Sequence, residues 1–220
     1  MRILITGTSS GIGRAVAERF LSEGHEVIGI DRVENPIENP NFRFFMLDLR
    51  DSSHFPEIEN IDCIFFNAGV QNSDDDIANN LKATIEAAEK YAFQEGVKSV
   101  LFNASASARN GFEFPQYVAS KAGVVGYMKN VACRLAPRGA TVNSISLGGV
   151  LTESNEPVMA DAESWDTIMD ATPLKKWMTI DEVADWVEFL LLKNRSMSGQ
   201  DILIDNGEND LNNSFIWPND

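Results

Sequence analysis

Apolar positions along this chain follow two rhythms, one of strands and one of helices, and the two take turns. Residues 2–6 (RILIT) form a short β-branched run that begins almost at the first residue. Beyond the glycines of residues 7–13, Ala15, Val16, Arg19 and Phe20 recur at helical spacing until Gly24 stops the helix. EVIGID follows as a second strand ending at Asp31, and residues 42–47 and 63–66 read as the third and fourth, with Asp48 and Asn67 at their C-terminal ends. The link over 50–62 is too broken by Pro56 and polar residues for a full helix. Residues 77–94 are predicted helical and 97–103 a strand. A helix over 117–135 is stopped by Pro137 and Gly139, and 140–146 alternates like a strand. Residues 180–192 form the last helix, with Asp181 and Glu182 suited to its positive end, and 201–205 the last strand. Strands separated by helices at this rhythm predict a parallel sheet of about seven strands covered on both faces. No internal repeat or Gly/Ser linker interrupts it, so residues 1–220 read as a single doubly wound α/β domain.

Two segments stand outside the pattern. Residues 151–176 are long and weakly patterned and hold Met159, Trp165 and Met169, which suggests a mobile lid over a pocket. An ordered helical hairpin packed on the domain is the alternative. The end of the chain (Phe215, Ile216, Trp217, Pro218) is unusually apolar and is expected to dock on its own subunit or a neighbour.

Composition narrows the partners. A chain 44% hydrophobic and 23% charged is an ordinary globular mix, and 220 residues can bury a core without disulfides or structural metal. The net charge of −15 opposes nonspecific binding to nucleic acid or anionic lipid. No apolar run approaches a membrane span, and no leader pattern opens the chain, so a cytoplasmic protein is expected. Cys63 and Cys133 are too few for a disulfide framework. His25 and His54 lack partners at ligand spacing, so no metal site is expected. Asp74, Asp75 and Asp76 read as a solvated helix start, and Cys133 as a core residue.

Two motifs carry chemistry. In Thr6-Gly7-Thr8-Ser9-Ser10-Gly11-Ile12-Gly13 a chain leaving a strand turns sharply into a helix. Glycine permits the dihedrals and a close approach of backbone N–H groups to a pyrophosphate, and the helix end adds partial positive charge. Alone, the spacing also fits a tight turn with no ligand. The expected context is present, however, because an acid at a strand end, Asp31, lies about 20 positions on. Its carboxylate suits a ribose diol and repels a 2′-phosphate, which favours NAD over NADP. The adjacent Arg32, able to pair with a phosphate, weakens that preference. In the second motif, Tyr117-Val118-Ala119-Ser120-Lys121, the phenol and ammonium share one helix face. A nearby cation favours phenolate and brings its pKa toward the working range. Such pairs also arise by chance on helix surfaces.

Together these segments resemble the short-chain dehydrogenase/reductase family, in its compact single-domain, Rossmann-type branch, over nearly the whole chain. The glycine segment is similar to the family's TGxxxGxG form, and Asn67-Ala68-Gly69 to its NAG. Asn80-Leu81-Lys82 resembles the start of the following helix, Phe102-Asn103-Ala104-Ser105 the strand bearing the catalytic serine, and residues 117–121 its YxxxK. Residues 146–152 (SLGGVLT) are similar to its cofactor segment SPGxxxT, with Leu147 in place of proline. Pro173-Leu174, residues 181–184 and Ser198-Gly199-Gln200 also fall where the family has similar residues.

This resemblance implies roles. Tyr117 would be the general acid or base, Lys121 would lower its pKa and hold the nicotinamide ribose, and Ser105 would hydrogen-bond the substrate oxygen. Asn80 would help to place a water in a proton relay. Gly7, Ser9, Ser10, Gly11, Ile12 and Gly13 would cradle the dinucleotide, with Asp31 and Arg32 at its ribose. Asp48 and Leu49 would border the adenine, Asn67, Ala68 and Gly69 the adenosine side, and Val150 and Thr152 the nicotinamide amide. The spacing from Ser105 to Tyr117 is one residue shorter than the family's, so Ser107 is the alternative if the strand register slips. The short 50–62 link and the short loop after Gly69 bear on substrate scope.

The function implied is hydride transfer between NAD (NADP less favoured) and a small-molecule secondary alcohol or ketone. A 3-oxoacyl-(acyl-carrier-protein) reductase is the runner-up, although −15 is not an obvious surface for an acidic carrier. A dinucleotide-sensing regulator would have no use for the full set of Asn80, Ser105, Tyr117 and Lys121, and too little chain follows Asp205 for an epimerase's substrate domain. The apolar run Val124, Val125, Tyr127 and Met128 exceeds what one sheet face needs, so a homo-oligomer, tetramer or dimer, is expected.

Overall fold

The computed structural model describes residues 1–211; the apolar segment 215–218 lies outside them. Seven parallel strands form one sheet: β1 (Arg2–Thr6), β2 (Glu26–Asp31), β3 (Phe42–Met46), β4 (Cys63–Phe66), β5 (Ser99–Asn103), β6 (Thr141–Leu147) and β7 (Asp201–Ile204). Their order is β3-β2-β1-β4-β5-β6-β7. Strand order therefore reverses between β1 and β4, and a crevice opens there beyond the carboxyl ends of the strands, where ligands bind in sheets of this kind.

Side-chain alternation divides the core in two. Ile3 and Ile5 of β1 point to one face with Cys63 and Phe65 of β4, while Leu4 points to the other with Ile64 and Phe66. The first face is covered by α1 (Gly11–Ser22) and α7 (Ile180–Glu188), which supply Val16, Phe20, Val183 and Val187. On the second lie α2 (Ala83–Tyr91) and α4 (Pro115–Leu135), with Tyr91, Val124, Met128 and Val131. Phe20, Phe65, Phe102 and Tyr91 are wholly buried, each worth about 1.5–3 kcal/mol of transfer free energy. This two-faced burial is why the strands read as continuous apolar runs.

Local chemistry sets the helix ends. Pro115, whose missing N–H costs nothing in a first turn, opens α4 two residues ahead of Tyr117. Thr179 and Glu182 form a reciprocal capping box at the start of α7. The helix expected over 77–94 begins as a π-helical stretch, Ile77–Lys82, and continues as α2. The 50–62 link holds only the 3₁₀ turn Ser52–His54. Residues 153–171 are helical, as the 3₁₀ turn Glu153–Asn155, α5 (Glu156–Ala160) and α6 (Ala162–Ala171). The remaining helix is α3 (Ser107–Asn110), after β5.

Two sequence expectations need correction. Cys133 is exposed, because Met128, Val131, Ala132 and Leu135 already fill the inward stripe of α4 and Cys133 falls out of phase with it. Asp76 is buried and accepts from the Asn72 and Ser73 backbone N–H groups at 3.1 and 2.9 Å; only Asp74 and Asp75 are solvated. Of the apolar run on α4, Val124 and Met128 lie in the chain's own core, whereas Val125 and Tyr127 stay half-buried. Among the described residues no helix is long and apolar enough to cross a membrane.

Candidate active site

A cleft of about 1610 Å³ runs along the carboxyl ends of the strands. Its first wall is the turn from β1 into α1. Thr6 Oγ1 accepts from the backbone N–H groups of Asn67 and Ala68, each at 3.0 Å, and Asn67 Nδ2 donates to the carbonyls of Thr6 and Gly7, each at 3.2 Å. Those bonds lock the ends of β1 and β4 side by side.

Within that lock each glycine has a distinct reason. Gly7 takes φ 76°, and a Cβ there would stand 2.9 Å from the Ala68 Cα. At Gly13 a Cβ would come to 1.9 Å from the Gly7 carbonyl oxygen, so α1 packs directly on the turn. Gly11 takes φ 51° and faces open space, with nothing within 4 Å of its missing Cβ. Ser10, at the N-cap, makes no side-chain hydrogen bond to the first turn of α1, so those N–H groups remain available to an anion. An open cradle of donors at a helix N-terminus is what a dinucleotide pyrophosphate requires, and the residues present fit it.

Asp31 ends β2 on the same side. Its Oδ2 accepts from the Ser9 N–H at 3.0 Å, and its Oδ1 from the N–H groups of Arg32 and Val33 at 2.7 and 3.3 Å. Three backbone donors thus fix a half-buried carboxylate at the cleft edge. Arg32 is exposed beside it and makes no ion pair among the described residues. Farther along, Asp48 binds Arg50, Oδ2 to Nη2 at 2.6 Å, and that hydrogen bond holds the Asp48 carboxyl below its usual range.

At the centre, the end of β5 meets α4. The Ala104 and Ala106 N–H groups bond the carbonyls of Ile145 and Leu147 on β6, at 2.8 and 2.9 Å, and hold Ser105 between them. Ser105 and Ser107 are both buried, with their hydroxyl oxygens 2.7 Å apart. Tyr117 and Lys121 project from successive turns of α4 toward this pair. Lys121 is 4% exposed; its Nζ donates to the Asn103 carbonyl at 2.9 Å and lies 5.7 Å from the Tyr117 ring centroid.

Burial dominates both titrations. It lowers the Lys121 pKa to about 8, and it raises that of the Tyr117 phenol to about 12, with Ser105 pulling the other way and the charges of Glu113 and Asp76 adding to the rise. The phenol pKa thus lies above its ordinary value, opposite to the lowering expected from Lys121. The ammonium is directed at the Asn103 carbonyl, and desolvation is the largest influence on the phenol.

Asn80, in the π-helical stretch, is 1% exposed and fully engaged. Its Oδ1 accepts from the Val70 N–H at 2.7 Å, while Nδ2 donates to the Val70 carbonyl at 2.8 Å and to Ser120 Oγ at 3.1 Å. Ser120 Oγ in turn donates to the Tyr117 carbonyl at 2.7 Å. A Cβ on Gly69 would stand 3.2 Å from Lys121 Nζ and 3.3 Å from Asn80 Oδ1, so a side chain there would crowd both groups.

The far end of the cleft is built by residues 148–177. Val150 bridges Met178, and Gly149 has no room for a Cβ because the Trp177 indole lies against it, 2.1 Å from where that atom would stand. Trp165 of α6 meets Trp177 edge to face at 5.1 Å, which ties the helical segment to the cleft. Glu113 and Glu208 line this end. Glu113 takes φ 79°, a left-handed conformation unusual for a residue with a side chain, and its Oε2 accepts from Gln71 Nε2 at 2.8 Å. Desolvation raises the pKa of both carboxyls.

Most residues singled out in the sequence thus line one cleft: Gly7, Ser10, Gly11, Ile12, Asp31 and Arg32 at one end, and Ser105, Tyr117, Lys121, Val150 and Thr152 at the other. Asp48, Leu49, Asn67, Ala68 and Gly69 lie between. Ser9, Gly13 and Asn80 stand behind the wall and shape it: Ser9 holds Asp31, Gly13 seats α1, and Asn80 joins the Val70 loop to α4. Sequence reasoning missed Ser120, Glu113 and Glu208. Ser120 lay inside a segment already quoted, one residue before Lys121, whereas nothing local marks the two glutamates. Among the described residues no group of three or more His, Cys, Asp or Glu side chains is placed to hold a metal ion.

Comparisons with known proteins agree with this geometry. The family model described as enoyl-(acyl carrier protein) reductase matches residues 77–209. That of the NAD dependent epimerase/dehydratase family matches residues 3–112, ending before Tyr117. The chain is 26% identical to the 3-oxoacyl-(acyl-carrier-protein) reductase FabG of Buchnera aphidicola subsp. Acyrthosiphon pisum (strain APS), over 92% of this chain and 95% of that one. It is 27% identical to the 2-dehydro-3-deoxy-D-gluconate 5-dehydrogenase of Escherichia coli (strain K12), over 93% of each. Among solved structures, a 4-hydroxyisoleucine dehydrogenase complexed with NADH superposes with a TM-score of 0.80 at 25% identity, over 94% of this chain and 98% of that one. ElxO with NADP bound gives 0.82 at 25%, over 94% and 98%.

Proposed function

The chain belongs to the short-chain dehydrogenase/reductase family, and on that premise we propose that it is an NAD(H)-dependent enzyme interconverting a small secondary alcohol and its ketone. The observation that carries this reading is the convergence of Ser105, Tyr117 and Lys121 on the cleft that also holds the open glycine cradle. A nicotinamide dinucleotide would supply the hydride acceptor or donor. The chain's own groups would do the rest.

Tyr117 Oη gives a proton to the carbonyl oxygen in reduction and takes it back in oxidation, and the Ser105 hydroxyl donates a hydrogen bond to the same oxygen. Lys121 holds the nicotinamide ribose, and Asn80 positions the Val70 loop and α4 around them. The N–H groups of the glycine turn hold the pyrophosphate, Asp48 and Leu49 border the adenine, and Val150 and Thr152 meet the nicotinamide amide. Asp31, presented by three backbone donors, accepts from the adenosine ribose and repels a 2′-phosphate; it favours NAD over NADP, with Arg32 opposing it. Helices α5 and α6 act as the lid, anchored through Trp165 and Trp177. A homo-oligomer, tetramer or dimer, is part of the same proposal.

A second reading rests on the likeness to FabG, whose substrate class would be a 3-oxoacyl thioester. The test is a panel of ketones and secondary alcohols, 3-oxoacyl thioesters included, followed by reduced-nicotinamide absorbance with NAD(H) and with NADP(H). Turnover of a small ketone or alcohol, faster with NAD(H), is the expected result. Turnover of thioesters alone would favour the second reading. Tight NADH binding with no turnover across the panel would make the chain a dinucleotide sensor.

A further inference from the structure

Ser107 has no part in the reaction proposed above, yet it is bound to Ser105 twice over. Both residues are buried, at 2% and 7% exposure respectively. The Ser107 N–H donates to Ser105 Oγ at 3.2 Å, and the Ser107 hydroxyl oxygen lies 2.7 Å from that same Oγ. Backbone bonds fix the arrangement. The Ser105 carbonyl accepts from the Ala108 N–H, and the Ser107 carbonyl from the Gly111 N–H, each at 3.0 Å. Ser107 therefore opens α3 with its side chain turned back on Ser105. Arg109, on the same helix, donates to the Asp201 carbonyl at 3.2 Å and ties α3 to β7.

A hydroxyl has one proton and two acceptor sites. The Ser107 N–H occupies one acceptor site of Ser105. Once Ser105 gives its proton to an oxygen in the cleft, it can meet the Ser107 hydroxyl only as an acceptor, which fills the second. Ser105 already favours the charged form of the Tyr117 phenol, as a group donating in that direction does. An oxygen that accepts is also the stronger donor, because hydrogen bonds in series polarise one another. Ser107 favours the charged Glu113 carboxylate as well, but Glu113 is exposed and water can serve it instead. The bond between the two buried serines has no such substitute.

Resting on the reading of this cleft as an alcohol/ketone active site, we infer that Ser107 is a positioning residue: its N–H and O–H together fix Ser105 Oγ and aim the one proton of Ser105 at the substrate oxygen. The same geometry ranks the two serines, since the donors converge on Ser105 and Ser107 acts through it.

The experiment has two arms. Neutron diffraction from crystals of the full chain grown in heavy water locates the two hydroxyl deuterons. The Ser107 deuteron is expected between the two oxygens, and the Ser105 deuteron turned toward the cleft. In the second arm, kcat and NADH affinity are measured for Ser105→Ala, Ser107→Ala and the double variant, on a ketone or alcohol that the unaltered chain turns over. Ser105→Ala should lose about a hundredfold in kcat. Ser107→Ala should lose about tenfold, and NADH affinity should stay within about threefold throughout. Because Ser107 acts through Ser105, the double variant should lie within about threefold of Ser105→Ala. A merely structural serine would instead multiply its own loss onto that of Ser105→Ala.

A Ser105 deuteron on the line to Ser107, an unchanged kcat in Ser107→Ala, or a double variant about tenfold below Ser105→Ala would overturn the inference. With Ser105→Ala still impaired, those outcomes sink the inference alone. Full turnover in Ser105→Ala would sink the reading on which it rests. Should no ketone or alcohol be turned over, the deuteron positions decide by themselves.

Discussion

Lys121 Nζ lies over the Tyr117 ring, 5.7 Å from its centroid, while donating to the Asn103 carbonyl at 2.9 Å. A buried cation thus sits one helical turn from a half-buried phenol, and the chain bears the electrostatic cost of keeping it there.

That cost is measurable. Burial lowers the Lys121 pKa to about 8, against 10.5 for an ordinary lysine. Below pH 8 the folded chain must hold a desolvated ammonium. Between about 8 and 10.5 the unfolded chain binds a proton that the folded chain has released, so rising pH favours folding through this group, by on the order of 3 kcal/mol in all. Lys121→Met should therefore be more stable than the unaltered chain at pH 7, by about 1–3 kcal/mol, although inactive. The gain should fade toward pH 10. Urea unfolding of both proteins across pH 7–10 checks this, and a constant difference between them would contradict it.

Gly13 and Gly11 differ in what a methyl group would meet. With its Cβ 1.9 Å from the Gly7 carbonyl oxygen, Gly13→Ala forces the backbone apart and should cost about 3 kcal/mol or prevent folding. Gly11→Ala meets open space and should cost only about 1 kcal/mol, from its φ of 51°. The methyl would stand where a pyrophosphate must approach, so NADH affinity should fall far more than stability. Denaturation and NADH titration of the two variants separate these effects, and equal stability losses would refute the packing argument.

Cofactor choice is expected to turn on one charge. Asp31→Asn can keep its one oxygen for the Arg32 and Val33 N–H groups, at the loss of the bond from the Ser9 N–H, and removes the repulsion of a 2′-phosphate. The ratio of NADPH to NADH affinity should rise about tenfold, with Arg32 free to pair with the phosphate. An unchanged ratio by fluorescence titration would mean that Asp31 does not set the preference.

How much of this was legible beforehand follows from where the information lies. Apolar rhythm revealed all seven strands and the helices α1, α2, α4 and α7 but not α3, α5 or α6, because a sheet buried on both faces needs continuous apolar runs such as EVIGID and CIFF. The glycine turn and the Tyr117–Lys121 pair were readable because backbone approach and shared helix faces demand fixed spacings. Burial of individual polar groups was not. Asp76 looked like part of a solvated acidic start, yet the Asn72–Ser73 turn folds over it. The phenol pKa depends on how deeply α4 sinks Tyr117 beside Ser105, a tertiary quantity with no local trace. Glu113 adopts a backbone conformation that its residue type disfavours, so propensity pointed away from it. Cys133 was misplaced for a simpler reason: the period of 3.6 through Met128, Val131 and Leu135 already put it on the outer face of α4.

The central claim is that the Tyr117 hydroxyl passes the proton at the reacting carbon. Tyr117→Phe removes that one oxygen from a ring already held by α4, so NADH binding should stay within about threefold of the unaltered chain. On any ketone or alcohol that the unaltered chain turns over, kcat of the variant should fall by about a hundredfold or more. Turnover undiminished in Tyr117→Phe, with NADH still bound, would contradict the account.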